Sequence, residues 1–270
     1  MTSIRRADRR HLAGWILATV LAGLVLAGPW LAPHSPTAPI GTPYAGASST
    51  AWFGTDDLGR DVASRMLAGG RGLLVTSLLA AVLGSVAGAG LGLLAALGGG
   101  RRAVDAFIMR PVDAVAAVPP VLLFLLCLTA MRDRVGVVVS IALVGVPLTA
   151  RIARAAALQV MRRPHVEAAT ARGEGIGWLL GREVLPLVTG VLLADLGIRF
   201  VAAVHLVAAA GFLGIGAGGT DWGSLIVQAL PGAPLQPLAL LLPVLGVGAL
   251  ALTANLLADR TAHRSRRWFQ

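Results

Sequence analysis

The stretch LLVTSLLAAVLGSVAGAGLGLLAAL, residues 73–97, contains no charged side chain. About 20 mostly apolar residues are enough for a helix to cross the ~30 Å hydrocarbon core of a bilayer. A spanning segment must satisfy its backbone hydrogen bonds internally, and this run is much longer than a strand of a membrane barrel. We therefore predict a transmembrane helix here and an all-α integral membrane fold for the chain.

The composition of the whole chain agrees with that class. Of its 270 residues, 56% are hydrophobic and 13% are charged, and the mean hydropathy is +0.77. A soluble domain needs about 25% charged residues to cover its surface, and no polar block here is long enough to fold separately. The sequence therefore predicts a single multi-pass domain in a lipid bilayer.

Six segments are predicted to cross the membrane. They are residues 12–33, 73–97, 114–131, 135–150, about 184–213 and about 235–258, with an N-tail at 1–11 before them and a C-tail at 259–270 after them. The last five form a core over 73–258. The segment 34–72 is predicted to hold a loop, a turn and a short amphipathic helix, with Thr55 or Asp56 as its N-cap.

The basic residues orient these spans. Cytoplasmic loops of membrane proteins carry an excess of basic side chains. With six spans, the N-tail, the 98–113 loop, the 151–183 segment and the C-tail share one side and hold 17 of the 23 basic residues, all of which are arginine. We therefore predict that this side, with both termini, is cytoplasmic. The net charge of +10 then reflects membrane orientation, and no nucleic-acid partner is expected.

The sequence contains no lysine, which limits its chemistry. A P-loop needs a lysine at the nucleotide phosphates, and a Schiff base needs a lysine amine. We expect no catalytic residue, no ATPase site and no cofactor in this chain, so that any ATP that drives it is bound by partner subunits. The single cysteine, Cys127, and five scattered histidines predict no metal site.

Three glycines of the second predicted span, Gly84, Gly88 and Gly92, recur every four residues and share one helical face. Small residues let another helix approach closely in lipid, where no hydrophobic drive brings helices together. We predict a packing face, within this chain or against a partner. The alternative is that glycine is simply frequent, at 34 of 270 residues.

Asp195 and Arg199 lie four residues apart in the fifth predicted span and can pair on one side of the helix. Ionisable groups at membrane depth are costly and often mark a pathway or a water-filled cavity. A pathway-lining pair and an internally neutralised pair that faces the helix bundle both remain open. His205, further along the span, is predicted to be a hydrogen-bonded buried residue.

The segment EAATARGEGIGWLLGREVLP, residues 167–186, is a polar patch in this apolar chain, on the predicted cytoplasmic side. Pro164 can begin a helix, and Glu167 falls in its first turn, where the helix dipole favours a carboxylate. Gly173 and Gly175 are predicted to end this helix, and a second short helix then leads into the fifth span. The result is a helix–turn–helix elbow with small residues exposed beside charges, a surface suited to docking on another protein.

Several segments, in order, resemble the C-type permease of the dipeptide/oligopeptide/nickel family of ATP-binding cassette (ABC) importers. The elbow is similar to the EAA loop of such permeases at Glu167, Ala168, Ala169, Gly173, Leu185 and Pro186. Further similarity lies in FGTDDLGRDVASRMLAGGR, MRPVDAVAAVPPVLL, GFLGIG, DWGSLI and ANLLADR. The matches extend over roughly residues 12–262, which makes the resemblance specific.

The resemblance implies a type I importer permease fold with six transmembrane helices in a prokaryotic cell membrane. It implies that this chain forms half of a translocation path, with a homologous B-type permease as the other half. The EAA loop, at about 160–186, would couple to one of two cytoplasmic ATP-binding subunits. An extracytoplasmic binding protein would deliver peptides or a related solute such as a nickel complex. Val146, Glu174 and Glu183 depart from residues common in the family, so the resemblance does not specify the substrate.

Two other classes of function remain as alternatives. A stand-alone secondary transporter or channel would share the apolar spans. An intramembrane serine hydrolase would pair a serine with a histidine, and Ser224 with His205 is the nearest approach to that pattern.

Overall fold

The computed structural model describes residues 19–98, 102–215 and 220–266. Within these ranges the chain is helical, and its extended pairings are isolated bridges, Pro39 with Arg60 and Thr55 with Asp61. This confirms the predicted all-α class. The predicted N-tail, the first part of the predicted first span and the end of the predicted C-tail lie outside the described residues.

The helices follow one another along the described residues in this order: α1 (Thr19–Leu31), α2 (Val62–Leu97), α3 (Arg102–Ala117), α4 (Pro120–Ala130), α5 (Arg134–Met161), α6 (Pro164–Ala171), α7 (Ile176–Trp178), α8 (Leu185–Phe212), α9 (Trp222–Ala229) and α10 (Pro237–Arg266). The described residues group into two compact units. The first lies within Met1–Leu79, Ala130–Val138 and Val201–Leu257, and the second within Ala80–Thr129, Val139–Phe200 and Ala258–Gln270.

Four helices of the described chain are long and apolar enough to cross a membrane. They are Val62–Leu97, Arg134–Met161, Ile176–Phe212 and Pro237–Leu256. Helices α3 and α4 form a fifth candidate, bent by 90° at their junction. Helix α1 is apolar but shorter, and the predicted first span, 12–33, begins outside the described residues. The described ranges thus hold four or five candidate spans, where the sequence predicts six.

Helix α2 begins at Val62, before the predicted start of its span at residue 73. The separate short helix predicted before residue 73 is therefore wrong, and so is its predicted N-cap. Asp61 fills that role, because its carboxylate accepts a hydrogen bond from the backbone N–H of Ser64 at 3.1 Å.

Two glycines in the first turns of α2 do not interrupt the helix. Their low helix propensity is offset by close packing contacts with the residues around the start of α9. A Cβ on Gly69 would lie 2.1 Å from the carbonyl oxygen of Thr220, and one on Gly70 would lie 2.6 Å from a ring carbon of Trp222. The indole N–H of Trp222 donates to the carbonyl oxygen of Met66 at 2.7 Å. The start of α9 therefore lies directly on this part of α2.

The third predicted span, 114–131, is not one helix. Helix α3 ends at Ala117 and α4 begins at Pro120, with Val118 and Pro119 between them. A residue before proline is disfavoured in the α conformation, so the Val118-Pro119-Pro120 sequence breaks the helix. The prediction of a continuous span is wrong at this point.

Helix α5 continues past its predicted end at residue 150, to Met161. Arg151 donates to Asp113 of α3 at 3.0 and 2.8 Å, and Arg154 donates to Asp105 of α3 at 2.6 and 2.7 Å. These two arginines end the apolar run in the sequence, but the carboxylates of α3 hold them on a continuous helix.

Helices α2 and α5 approach each other closely along the predicted glycine face. The distance from an ideal Cβ to the nearest backbone oxygen of α5 is 2.8 Å at Gly84 (Ala142), 2.7 Å at Gly88 (Val146) and 2.2 Å at Gly92 (Ala150). A real Cβ does not approach another atom this closely, so a larger residue at any of the three sites requires the helices to separate. All three glycines thus lie against another helix of this chain.

Gly92→Ala is expected to destabilise the protein by about 1–3 kcal/mol, as overpacking does. Gly90 is the matched control, because it lies on the same helix and a Cβ there would meet nothing within 4 Å. Alanine is favoured over glycine in a helix by about 1 kcal/mol, so Gly90→Ala should leave the Tm unchanged or raise it. Thermal unfolding of the purified protein in detergent measures both, and equal Tm values would contradict the packing role.

Candidate functional site

The candidate site is the elbow formed by α6, α7 and the turn between them. Pro164 is the first residue of α6, after Arg163 in an extended conformation (φ −84°, ψ 144°). Proline suits this position because the first turn does not use its missing N–H. Glu167 lies in the first turn, near the positive end of the helix dipole. Helix α6 therefore begins as the sequence predicts.

Gly173 ends α6 by taking a left-handed conformation, with φ of +83°. Its N–H donates to the carbonyl oxygen of Thr170 at 3.0 Å, and the N–H of Glu174 donates to that of Ala169 at 3.3 Å. These two hydrogen bonds form the Schellman motif, in which a residue with positive φ closes a helix. A Cβ on Gly173 would meet nothing within 4 Å beyond its chain neighbours. Glycine is required here by the backbone conformation and not by space.

The second limb of the elbow is continuous with α8. Helix α7 begins after Gly175 and passes through a π-helical turn, Leu179–Val184, into α8, so that Ile176–Phe212 is one apolar helix. The predicted second helix, at around 176–183, is present, but it continues into α8 without a break. One residue, Leu185, separates the π-helical turn from Pro186, whose missing N–H removes a backbone hydrogen bond from the helix.

One side of α6 is buried and the other is exposed. Val166 and Ala169, which is 0% exposed, pack into an apolar core with Val160 and Val184. Glu167 and Ala168 lie on the exposed side. The EAA residues therefore do not form one surface, because Ala169 anchors the elbow while the two residues before it face outward. The prediction that the small residues of the elbow are exposed is therefore wrong for Ala169.

The exposed side continues over the turn. Gly173, Gly175 and Gly177 are exposed, and between the last two Ile176 is 59% exposed. Leu185 and Pro186 are exposed further along. Ile176 therefore adds an apolar side chain to the exposed surface that Glu167 and Ala168 begin.

The charged groups of the elbow are mostly paired. Arg172 lies 3.8 Å from Glu174, and His165 lies 3.5 Å from Glu183. Glu167 makes no ion pair with any residue that the structure describes. Its carboxylate is therefore available on the outer surface of α6.

The structure brings Asp195 and Arg199 together and adds Thr149 of α5. The Nε of Arg199 donates to Oδ1 of Asp195 at 3.1 Å, and the hydroxyl of Thr149 donates to Oδ2 at 2.5 Å. The carboxylate of Asp195 is thus buried and fully paired, while Arg199 keeps 16% of its side chain exposed. The role of Thr149 was not identified from the sequence, since its contact joins residues 46 positions apart.

A polar cluster that the sequence analysis did not identify lies at the start of α2. Oδ2 of Asp56 accepts hydrogen bonds from Nε of Arg60, at 2.7 Å, and from Nη1 of Arg65. Oδ1 accepts from the backbone N–H groups of Leu58 and Arg60 at 2.9 and 2.8 Å. Nη2 of Arg65 donates to Gln228 of α9 at 2.7 Å. The four-residue spacing of Asp56 and Arg60 was the only sequence signal for this cluster.

The cluster borders an open pocket that is also lined by Tyr44, Leu225 and Gln236. The carboxylate of Asp56 already accepts four hydrogen bonds, so it has little capacity left for a ligand. The amide of Gln236 donates to the carbonyl oxygen of Ala45 at 2.9 Å. We interpret these hydrogen bonds as the contacts that hold the segment before α2 against α9 and against Gln236, which precedes α10.

Ser224 and His205 do not bond to each other. The Ser224 hydroxyl donates to the carbonyl oxygen of Asp221 at 2.8 Å, and Nδ1 of His205 lies 2.8 Å from the carbonyl oxygen of Val201. His205 is hydrogen-bonded as predicted but is exposed and not buried, because it shares with Ala202 a face of α8 that the described residues leave uncovered. These contacts give no support to a serine hydrolase.

Residues 88–268 match a family described as the binding-protein-dependent transport system inner membrane component. A glutathione transport system permease protein, GsiD of Pectobacterium atrosepticum, is 31% identical over 217 residues, which are 79% of this chain and 71% of that protein. A dipeptide transport system permease protein, DppC of Haemophilus influenzae, is 28% identical over 264 residues, or 94% of this chain and 89% of that protein.

The fold also has a relative of known structure. A chain of the MetNI methionine ABC transporter, in an inward-facing conformation, is similar with a TM-score of 0.57 and 18% identity, over 73% of this chain and 96% of that chain. The family match includes the elbow and covers well over half of the sequence. The chain therefore belongs to the family of binding-protein-dependent transport system inner membrane components.

Proposed function

We propose that this chain is the permease subunit of an ABC importer for peptides or a related small solute. The observation that carries the proposal is the elbow, which is anchored on one side and exposed on the other, in a chain of this transport family. The substrate class follows from the names of the relatives, which are permease proteins of a glutathione and a dipeptide transport system.

The proposed complex has the parts that such an importer needs. A homologous B-type permease forms the second half of the path, and two cytoplasmic subunits bind ATP. An extracytoplasmic binding protein delivers the solute. This chain supplies no ATPase site of its own, in line with its lack of lysine.

The proposed placement is the bacterial inner membrane, with six transmembrane helices and both termini in the cytoplasm. The distribution of arginine supports this topology, because 17 of 23 basic residues then lie on the cytoplasmic side. Residues 34–61, with the Asp56 cluster, are then external, and the elbow is cytoplasmic.

The elbow is proposed to receive the movement of one ATP-binding subunit. Glu167, Ala168, Gly173 and Ile176 form the contact surface, while Ala169 anchors it to the core that contains Val160 of α5. Leu185 and Pro186 lie where the second limb enters α8. Because this limb and α8 are one continuous helix, a displacement of the elbow on closure of the ATPases moves α8 as well.

Purification from membranes tests whether a separate subunit binds ATP while this chain forms the path. This chain, isolated with its natural partners, is expected to co-elute with an ATP-binding subunit, and the chain alone in vesicles is expected to transport no peptide. Peptide uptake by the isolated chain, driven by an ion gradient or by diffusion, would identify a stand-alone secondary transporter or channel and reject the proposal.

Gly173→Ala and Gly173→Asp are expected to reduce ATP-driven uptake at least about tenfold while the protein remains in the membrane, because a left-handed backbone costs other residues about 1–2 kcal/mol. Gly177→Ala is the matched control, since a Cβ at Gly177 also meets nothing within 4 Å and no positive φ is required there. Uptake into cells, normalised to the amount of permease in the membrane, measures the effect. Equal uptake in Gly173→Ala and Gly177→Ala would show that the bend is not needed for coupling.

Glu167→Lys is expected to abolish uptake, because it places a cation where the outer surface of α6 presents an unpaired carboxylate. Glu167→Gln keeps the shape of the side chain and should reduce uptake less. The cost to the helix itself is about 0.3–1 kcal/mol, too little to unfold the protein. Co-purification with the ATP-binding subunit measures docking, and normal docking and uptake in Glu167→Lys would exclude this residue from the contact surface.

A further inference from the structure

Arg199 lies near the middle of α8. It is 14 residues from Leu185 and 13 from Phe212, the two ends of that helix. At 1.5 Å per residue, both ends are about 20 Å away. In a helix that crosses the bilayer, this position is close to the midplane, where an unpaired arginine is most costly.

The guanidinium of Arg199 is held in one orientation. Its Nε donates to Oδ1 of Asp195, and Oδ2 of that carboxylate is fixed by the hydroxyl of Thr149 on α5. The stem of Arg199 lies over Gly145 of α5, whose Cβ, if present, would be 3.8 Å from Cδ. Two helices therefore position this side chain, and little freedom is left to be lost when it binds something.

The outer edge of the guanidinium is not used by the described part of the chain. Nε makes the contact to Asp195, and neither Nη1 nor Nη2 has an acceptor among the described residues. The side chain is 16% exposed, whereas Asp195 is 2% exposed. Lipid cannot satisfy four N–H donors, so this edge must face water, a passing solute or another protein.

We propose that the Nη edge of Arg199 binds the carboxylate of a peptide as it passes through the translocation path. This inference rests on the proposed function and assigns a specificity-determining residue within it. Two parallel N–H groups match the two oxygens of a carboxylate. Short peptides, including those named for the relatives, end in such a group. Thr149 and Asp195 act as positioning residues that aim the edge.

The buried partner also explains how the peptide is released. Asp195 neutralises the guanidinium, so a passing carboxylate is held less tightly than it would be by an isolated cation. Conduction requires a site that is favourable enough to enter and weak enough to leave. The Asp195–Arg199 pair provides hydrogen-bond donors in the membrane without a net positive charge.

The test compares two probes, alanyl-alanine and its C-terminal amide, in vesicles that contain the complete transporter and saturating binding protein. The measured quantity is the ratio of the initial uptake rates of acid and amide. The same binding protein serves every variant, so its own preference cancels when the ratio of a variant is divided by that of the wild type.

The double variant Asp195→Asn/Arg199→Gln removes both charges and leaves no unpaired buried ion. It is expected to lower the acid-to-amide ratio at least about tenfold, the scale of losing a hydrogen bond to a charged group. Arg199→Lys keeps a cation paired with Asp195, so that this variant is expected to fold even if the double variant does not. It should lower the ratio at least about threefold, because an ammonium cannot present two parallel donors. Arg110→Lys, the same exchange at an exposed arginine of α3 outside the elbow, is the matched control and should leave the ratio unchanged.

A wild-type ratio in both Arg199 variants would overturn the inference and point to an acidic group of the second permease as the acceptor. Loss of uptake of both probes to the same extent would likewise reduce Arg199 to a structural role. Failure of the wild-type transporter to carry either probe, while it still takes up another peptide, would overturn the inference for dipeptides without rejecting the proposed function.

Discussion

A guanidinium group cannot be left alone in the apolar part of a membrane protein, and much of this fold depends on how its arginines are matched. Three arginines of the long helices, Arg65, Arg154 and Arg199, pair with Asp56, Asp105 and Asp195. The first pair fixes the segment before α2, the second joins α5 to α3, and the third is tied to α5 through Thr149. Side chains that would exclude a helix from lipid thereby become contacts that position it.

Small residues are the second means by which the helices of this fold are held together. Where α2 meets α5, glycine lets the two backbones approach until no side chain fits between them. Lipid offers no hydrophobic drive for helix association, so this contact depends on dispersion over a close interface. Ion pairs and glycines occupy different turns of the same helices: Gly92 packs near Ala150, and Arg154 follows one turn later with its bond to α3.

The apolar runs and the α6 half of the elbow could be predicted from the sequence, because both depend on local composition and on the conformational needs of proline and glycine. The start of α2 and the end of α5 could not. Each continues where tertiary contacts, with Trp222 for α2 and with Asp105 for α5, compensate for glycine or charge. The burial of Ala169 was missed because a sequence alone does not tell which side of α6 meets the core. The contact of Arg65 with Gln228 spans 163 positions and leaves no local pattern.

The π-helical turn at Leu179–Val184 has a consequence for the direction of the elbow. A π-helical turn contains one residue more than an α-helical turn, and each residue advances an α-helix by about 100° around its axis. The extra residue therefore sets the direction in which α6 projects from the continuous helix of α7 and α8. In a homologue with one residue fewer at this point, an elbow of identical sequence would face about 100° away. The number of residues in the helix after the elbow thus determines the direction in which the docking surface faces.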